Sequence, residues 1–340
     1  MDIFFRPQRR CLHNLLRRVV NIAGVSPESA LRWCNFLPGV QCRALVAGGD
    51  GTVGWILETI EKLDLKPPPQ VAVLSLGTGN DLSRVLGWGP GHTGEVNVTE
   101  MLTAVARAVP VKLDRWTVSL KQRRNFGIHL THPDKKLTMS NYFSIGVDAS
   151  VTLSMHNSRQ SLPRGLSSRL LTKLLFFTFG TKDVLEHACK DLQDKVELFL
   201  DGKKIDLPPL EGIVVLNIPS WGGGVKVWQL GDASSWPEQR IDDGLFEVFG
   251  LYSSFHIAQM QVGMSEPFRI GQGRELSLRI FHKGRLPMQV DGEPWEQGPA
   301  TINIQRKCQA SMLASTDYAD ETSSSSSSSD EKDSTQETDF

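Results

Sequence analysis

The stretch LVAGGDGTVGWIL, residues 45–57, decides the fold. Small and apolar residues lead into Gly48-Gly49-Asp50-Gly51, and apolar side chains then recur at helical spacing. A strand, a glycine turn and a helix in this order are typical of a parallel α/β sheet. The glycines let a bulky anion reach the backbone, and the helix start offers free N–H groups. The stretch predicts a phosphate-binding turn; the alternative is a plain tight turn in which Asp50 caps the helix.

A second glycine turn supports the first interpretation. The segment QVAVLSL, residues 70–76, has the pattern of a buried strand, and GTGNDL, residues 77–82, follows it into the next helix. Turns that follow adjacent parallel strands converge on one crevice, where open α/β sheets bind ligands. Neither turn matches GxxxxGK[ST], so the spacing excludes a Walker A loop. Asn80 and Asp81 could also serve as helix N-caps.

The pattern of predicted elements changes after Lys112, where short strands separated by turns replace the alternation of strands and helices. We therefore predict an α/β nucleotide-binding domain at residues 42–112 and a β-rich domain at 113–315, whose last strand could return to the first domain. An atypical N-terminal segment, residues 1–41, precedes them. Within it, residues 1–25 predict an amphipathic helix that either packs on the body or lies on a membrane, because one helical face would carry Leu12, Leu15, Leu16, Val19 and Ile22. Seven consecutive serines among acids predict a disordered tail at 316–340.

Charge and cysteine content limit the partners. The 37 basic and 38 acidic residues give −1, but residues 317–340 hold eight acids and one lysine, which leaves 36 − 30, or +6, for the body. This balance suits an anionic ligand or membrane face and is too weak for nucleic acid. The five cysteines form no CxxC pair, so we expect no structural zinc and no disulfide framework, and a reducing cytosolic compartment. No apolar run is long enough to cross a bilayer.

Acidic residues recur in the β-rich half in segments that predict tight turns: Asp148 in SIGVDAS, Asp242 and Asp243 in RIDDGLFEV, and Asp291 and Glu293 in QVDGEPW. Asp-Gly pairs are common in hairpin turns, and each stretch taken singly predicts no more than a turn. Asp291 and Glu293, however, place two carboxylates in one turn. Such a pair can act as a general base and its electrostatic partner.

Together these motifs closely resemble the catalytic and accessory regions of eukaryotic diacylglycerol kinases, from about residue 29 to about residue 313, and look most like the epsilon type. The resemblance is carried by GGDGTVGW (48–55), VAVLSLGTGNDLSRVLGWG (71–89), VKLDRW (111–116), NYFSIGVDAS (141–150), VVLNIPSWGGG (214–224), DDGLFEV (242–248) and MQVDGEPWEQGP (288–299). GGDG alone is less specific, since sphingosine and ceramide kinases, NAD kinases and phosphofructokinases carry similar signatures. The order of the motifs is specific.

The resemblance implies an NAD kinase/diacylglycerol kinase-like fold: a parallel α/β nucleotide-binding domain followed by a mostly antiparallel β-sandwich. It implies phosphorylation of diacylglycerol to phosphatidic acid with ATP and Mg2+. The nucleotide site would comprise Gly48, Gly49, Asp50, Gly51, Thr52, Gly77, Thr78, Gly79, Asn80 and Asp81. Asp114 and Asp243 match acids that bind magnesium through water. The general base would be Asp291, with Glu293 beside it, or else Asp50; Asp291 is favoured.

The family also implies features that we do not find before Cys42: a strand ending in an NPxSGG-type phosphate loop, zinc-bound C1 domains and an apolar anchor. We therefore expect an incomplete, N-terminally truncated catalytic domain, and an inactive binding or regulatory fragment stays open as the alternative. The substrate lies in a membrane, so we expect a cytoplasmic protein that associates with membranes peripherally, with diacylglycerol and anionic lipids as partners. The apolar residues 166–179 predict either a core helix or an interfacial helix that admits acyl chains.

Overall fold

The computed structural model describes residues 2–7, 18–77, 79–91, 96–122, 134–161, 189–232 and 234–316. The chain divides into two compact units. The first consists of Met1–Lys112 together with Ser311–Phe340, and the second is Leu113–Ala310. The tail beyond residue 316 and the apolar residues 166–179 lie outside the described residues. No helix in the described part of the chain is long and apolar enough to cross a membrane.

The first unit alternates strands and helices. Its elements are β1 (Asp2–Pro7), β2 (Arg18–Asn21), α1 (Pro27–Leu31), a 3-10 helix (Arg32–Phe36), β3 (Cys42–Gly48), α2 (Asp50–Leu63), β4 (Gln70–Ser75), α3 (Asp81–Val85) and α4 (Val98–Arg107). The strands are ordered β2-β1-β3-β4, and the end of the last strand of the chain pairs with β4 in parallel.

The second unit is mostly β. It contains β5 (Val109–Gln122, which begins in the first unit), β6 (Lys135–Met139), β7 (Tyr142–Gly146), α5 (Val147–Ser161), a 3-10 helix (Leu192–Asp194), β8 (Val196–Leu200), β9 (Lys203–Ile205), β10 (Gly212–Leu216), a 3-10 helix (Val227–Gln229), β11 (Phe246–Leu251), α6 (Ser254–Gln261), β12 (Phe268–Gly273), β13 (Glu275–Ile280), β14 (Leu286–Val290), β15 (Glu293–Gln297) and β16 (Ala300–Ala314, which ends in the first unit).

The strands β3 and β4 form the parallel centre of the first unit. They pair from Arg43↔Gln70 to Gly48↔Ser75. Every residue of β3 is buried, as are all but the first of β4, which is typical of strands covered on both faces. Helix α2 buries Val53, Ile56 and other apolar side chains on one side. Because the two strands run in parallel, their glycine turns emerge at the same edge of the sheet.

The N-terminal segment differs from the prediction. Strand β1 pairs antiparallel with β3 from Pro7↔Cys42 to Ile3↔Val46, and β2 pairs antiparallel with β1. The helix predicted over residues 1–25 is therefore wrong for both strands, and the position beside β3 is occupied. A buried strand needs partners for its backbone N–H and C=O groups, and this need outweighs helical periodicity. Leu12, Leu15 and Leu16 lie outside the described residues.

The second unit is a β-sandwich. One antiparallel sheet has the order β12-β11-β10-β7-β14-β15, and the other contains β6-β5-β16-β13-β8-β9. Inward side chains of both sheets, including Trp116, Phe143, Phe246 and Ile302, share one core. A second apolar cluster lies on the other face of the first sheet, where Val214 and Phe249 pack with Ile257 of α6. The predicted fold class, α/β followed by a β-sandwich, is confirmed.

Candidate functional site

The two glycine turns of the first unit touch at the backbone. The N–H of Leu76 donates to the carbonyl oxygen of Gly48 (3.0 Å). A Cβ built on Gly77 would lie 2.7 Å from Cα of Gly49, a distance that real Cβ atoms do not show. Side chains at either position would force the turns apart. The structure therefore brings together the two turns that the sequence places 29 residues apart, 77 minus 48.

Polar groups at the helix starts connect the turns. The N–H of Asp81, the first residue of α3, donates to Oδ2 of Asp50, the first residue of α2 (2.9 Å). Asn80 adopts a left-handed backbone with φ 52°. Its side chain makes no capping bond to α3; instead Nδ2 donates to the carbonyl oxygens of Gly77 (2.8 Å) and Pro90 (2.9 Å). Among the described residues, its buried Oδ1 has no hydrogen-bond partner. An unsatisfied buried acceptor calls for a donor or a cation.

The remaining residues of these turns differ in the space around them. A Cβ on Gly51 would meet nothing within 4 Å, and one on Gly79 would make only an ordinary contact at 3.7 Å with Asp81. Thr52 is buried, and its side chain lies where a Cβ of Gly48 would be. Thr78 lies outside the described residues. The backbone is thus open at Gly51, where a ligand has room.

In the second unit, Asp114 anchors a loop. This fully buried carboxylate accepts from Arg306 Nε (3.0 Å) and Nη2 (2.9 Å) and from the N–H of Gly244 (2.6 Å). The N–H of Asp114 donates to the carbonyl oxygen of Ile241 (2.7 Å). Both ends of residues 241–244 are therefore tied to Asp114. Because its oxygens already have charged and polar partners, the main role of Asp114 is to hold the loop that contains Asp243 in place.

Asp243 is half-buried in that loop. Its Oδ1 accepts the N–H of Leu245 (2.9 Å). Burial raises the pKa of Asp243, and the negative charge of Asp114 adds to the rise, while the hydrogen bond from Leu245 opposes it. A carboxylate whose charge is poorly compensated by the protein is a suitable partner for a cation or for water bound to one.

Asp291 lies in the turn between β14 and β15, with φ 50° followed by Gly292 with φ 86°. Its carboxylate accepts three backbone N–H groups: Ser140 (2.7 Å) on Oδ2, and Asn141 (2.8 Å) and Tyr142 (3.0 Å) on Oδ1. Burial raises the pKa of Asp291 to about 6, although these N–H groups and the charge of Arg115 favour the ionised form. Glu293 is exposed at the start of β15. Asp291 is thus a well-held carboxylate that titrates near neutrality.

Two residues that lie within the quoted motifs, but to which the sequence assigned no role, connect these acids. Asn217, fully buried after β10, donates through Nδ2 to the carbonyl oxygens of Asp114 (2.8 Å) and Ser140 (2.6 Å), and accepts from Trp116 Nε1 (2.6 Å). Arg115, also buried, donates to Ser140 Oγ at 3.4 Å. A polar residue directly after the apolar strand GIVVL is the one sequence signal for Asn217. The two residues link the strand with Asp114 to the segment that binds Asp291.

One predicted turn is absent. The sequence predicts a turn at Asp148, but this residue lies in the first turn of α5, where its charge favours the helix N-terminus. The segment around it, SIGVDAS, contains a single glycine and no pair of helix-breaking residues. Helix α5 therefore begins directly after β7. Its buried carboxylate accepts from Ser144 Oγ (2.5 Å).

Comparisons with known proteins agree with this architecture. Residues 12–113 match the diacylglycerol kinase catalytic domain, and residues 138–294 match the diacylglycerol kinase accessory domain. The chain belongs to the diacylglycerol kinase family. The catalytic-domain match begins upstream of β3, within the N-terminal segment that the sequence sets apart as atypical.

Several relatives of this diacylglycerol kinase family member extend well beyond it. "Probable diacylglycerol kinase 3" of Caenorhabditis elegans is 37% identical over 326 residues, covering 87% of this chain and 40% of the relative. "Diacylglycerol kinase 1" of Arabidopsis thaliana is 38% identical over 314 residues, covering 90% and 42%. "Diacylglycerol kinase theta" of Homo sapiens is 39% identical over 273 residues, covering 78% and 28%. The chain thus spans less than half the length of these relatives.

A solved structure supports the fold. A Bacillus anthracis protein assigned to the diacylglycerol kinases superposes with a TM-score of 0.51 at 18% identity, covering 85% of this chain and 83% of that one. At this identity the likeness concerns the fold alone.

Oxygen ligands for magnesium are present but scattered. Among the described residues, no group of three or more His, Cys, Asp or Glu side chains could hold a metal ion by itself. The half-buried carboxylate of Asp243 and the partnerless oxygen of Asn80 are nevertheless hard oxygen ligands of the kind that Mg2+ accepts beside nucleotide phosphates. Each of these side chains fits a magnesium ion that a bound nucleotide helps to hold.

Proposed function

We propose that this chain transfers the γ-phosphoryl group of ATP to the free primary hydroxyl of diacylglycerol and so forms phosphatidic acid. The observation that carries the proposal is the turn of Asp291, where three N–H donors hold a carboxylate with a pKa of about 6. The chain that contains this turn matches both the catalytic and the accessory domain of the diacylglycerol kinase family. The proposal concerns this chain, which spans less than half the length of the relatives described above.

The glycine turns of the first unit are the proposed ATP site: Gly48, Gly49, Asp50, Gly51, Thr52, Gly77, Thr78, Gly79, Asn80 and Asp81. The backbone contact between Gly49 and Gly77 supports this role, as does the open space at Gly51. Phosphate oxygens can then approach backbone N–H groups at the start of α2. The partnerless Oδ1 of Asn80 would accept from a ribose hydroxyl or from metal-bound water.

In the first unit, Asp50 and Asn80 are proposed to organise magnesium-bound water at the nucleotide phosphates. In the second unit, Asp243 is proposed as a magnesium partner that acts through water. Magnesium, when bound, would neutralise charge on the phosphates. Asp114, whose oxygens are bonded to Arg306 and Gly244, would contribute by fixing the loop of Asp243.

Asp291 is the proposed general base. It would accept the proton of the lipid hydroxyl while that oxygen bonds to the γ-phosphorus and the bond from phosphorus to the bridging oxygen breaks, which releases ADP. With a pKa of about 6, most Asp291 side chains are ionised at neutral pH and can accept a proton. Because this pKa lies close to neutral pH, the carboxylate is also basic enough to take the proton. Glu293, exposed beside it, would act as the electrostatic partner.

Membrane contact is the remaining part of the proposal, because the substrate lies in a bilayer. Residues 252–265 contain no Asp, Glu, Lys or Arg and expose Phe255 (67%) and Met264 (79%). A bulky, charge-free surface of this kind suits the membrane interface. The net positive charge of residues 1–316 would favour anionic lipids, and the protein would act in the cytoplasm at a membrane surface.

The test is transfer of radiolabelled phosphate from ATP to diacylglycerol in mixed micelles. Asp291→Asn should lower the rate at least about a hundredfold, since a positioned base contributes two to four orders of magnitude. Asp201→Asn is a matched control: Asp201 also occupies a left-handed Asp-Gly hairpin turn, and it accepts the N–H groups of Arg274 (2.8 Å) and Glu275 (2.9 Å). It should leave transfer nearly unchanged.

The alternatives give different results. A chain that binds ATP but forms no phosphatidic acid would be the inactive fragment. Transfer to NAD without transfer to lipid would reject the lipid assignment. Equal activity of the Asp291 and Asp201 variants would remove Asp291 from the chemistry.

A further inference from the structure

We infer that Gln289, Ser144 and Asp148 form a buried network that positions the turn of Asp291 and thereby sets the reactivity of its carboxylate. This inference rests on the proposed function, because it takes Asp291 as the proton acceptor. It assigns a role to Asp148, which the chemistry above does not use, and to a glutamine inside an apolar strand.

The network is a continuous chain of hydrogen bonds. The N–H of Gly292 donates to Gln289 Oε1 (2.8 Å), and Gln289 Nε2 donates to Ser144 Oγ (3.0 Å). The Ser144 hydroxyl donates to Asp148 Oδ2 (2.5 Å). Three side chains thus connect the turn after β14 to the start of α5.

Every member is removed from solvent. Gln289 and Ser144 have no exposed surface, and Asp148 is 3% exposed. All five residues of β14 are buried, and Met288 and Val290 beside Gln289 belong to the apolar core. Burying an amide costs free energy unless its groups are bonded, and an apolar side chain would suit packing alone. Both ends of the Gln289 amide are hydrogen-bonded. Its role is therefore to hold its two partners, the N–H of Gly292 and the hydroxyl of Ser144.

Those groups control the acid turn. Gln289 lies directly across from Ser144 in the β14–β7 pairing, and Val290 lies across from Phe143. The next residue, Asp291, donates its N–H to the carbonyl oxygen of Tyr142 (2.9 Å), and its carboxylate receives the N–H groups of residues 140–142 at the start of β7. The network therefore joins the same two strands on the side of Gly292. It holds the left-handed turn through the N–H of Gly292, while the N–H groups of residues 140–142 hold the carboxylate.

The experiment compares Gln289→Met, which keeps the shape of the side chain and removes both polar ends, with Gln297→Met. Gln297 is a buried glutamine at the far end of the same hairpin, outside the network, so it is the matched control. Asp148→Ala removes the acceptor of Ser144, and Asp148→Asn retains one. The measurements are kcat, KM for ATP, the pH profile of kcat and hydrogen exchange of the Gly292 amide.

We expect Gln289→Met to lower kcat about tenfold to a hundredfold, the range for a misplaced catalytic group, with KM for ATP changed less than about twofold. The acid limb of the pH profile should move by roughly half a unit or more, because the environment of Asp291 changes. The Gly292 amide should exchange faster. Asp148→Ala should behave similarly, and Asp148→Asn and Gln297→Met should stay close to the unmodified chain.

The outcomes separate the two claims. If Asp291→Asn abolishes transfer while Gln289→Met retains kcat and the acid limb, the network does not position the base and the inference is overturned. If the unmodified chain is inactive or Asp291→Asn stays active, the proposed function fails, and hydrogen exchange of the Gly292 amide then tests the network by itself. Faster exchange in Gln289→Met supports the claim that the network holds the turn. Unchanged exchange rejects it.

Discussion

The carboxylate of Asp50 accepts the backbone N–H of Asp81 at 2.9 Å, so the acid of the first glycine turn bonds to the helix that follows the second. One side chain thereby connects the starts of α2 and α3. The acid among the glycines has a structural task in addition to any contact with a nucleotide.

Replacement of Asp50 should therefore separate capping from charge. Asp50→Asn keeps an oxygen that can accept from Asp81, so the chain should stay folded while losing the negative charge proposed to organise magnesium. Asp50→Ala loses both and should also lower the free energy of unfolding by about 1 kcal/mol, as lost caps do. Urea unfolding and ATP binding measure the two effects. Asp64→Asn, an exposed position after the same helix, is the control, and equal stability of the Asn and Ala variants at position 50 would contradict the capping role.

Glycine substitutions should separate close packing from ligand space. Gly77→Ala brings a Cβ to 2.7 Å from Gly49 Cα, so it should destabilise the first unit by about 1–3 kcal/mol, the range for overpacking. Gly51→Ala meets nothing within 4 Å and adds a better helix former, so it should raise stability by up to about 1 kcal/mol. The same methyl group enters the space proposed for phosphate, and ATP affinity should fall. A Gly51→Ala chain that binds ATP normally would argue against phosphate at this turn.

The stability of the second unit should fall with rising pH because of Glu247. This carboxyl group is fully buried on β11 and accepts from Gln239 Nε2 (2.5 Å) and Gln272 Nε2 (2.9 Å). Burial raises its pKa from 4.5 to about 8, although both hydrogen bonds oppose the rise. The folded chain therefore keeps a proton that the unfolded chain releases above about pH 4.5. The stability contribution present below that pH is lost progressively up to about pH 8, with a slope of at most about 1.4 kcal/mol per pH unit.

Glu247→Gln tests this dependence, since the amide has no proton to lose in that range. Urea midpoints at pH 5, 6.5 and 8 should decline less in Glu247→Gln than in the unmodified chain. The exposed Glu275→Gln should retain the full decline. Parallel curves for all three chains would show that Glu247 does not hold its proton in the folded state.

The activity should fall on the acidic side through about pH 6, because only ionised Asp291 can accept the hydroxyl proton and burial raises its pKa to about 6. The measurement is kcat against pH at saturating ATP and lipid. Residual activity of Asp291→Asn should lack this limb. If the limb persists there and disappears in Asp50→Asn, Asp50 is the base.

The sequence was sufficient to predict the secondary structure and strand pairing where the local residue pattern is clear. Alternating strands and helices around GGDG and GTGNDL predicted the parallel pairing of β3 with β4. The apolar runs of the second half predicted strands of the sandwich. It was misleading at residues 2–7 and 18–21, where the structure has the strands β1 and β2 instead of the predicted helix, because β3 needs a pairing partner. It was also misleading at Asp148, whose neighbours suggested a turn and whose backbone begins α5.

By itself, then, the sequence determined the family, because the order of its glycine turns and acid-bearing motifs is specific even though each motif alone is common. Only the tertiary structure decided what each acid bonds to. Asp114 is engaged by Arg306 and Gly244, Asp291 by three N–H groups, and Asp148 by the Ser144 hydroxyl. These partners are up to 192 residues away along the chain. The protonation and reactivity of a carboxylate depend on burial and on the donors around it, and both are properties of the folded chain.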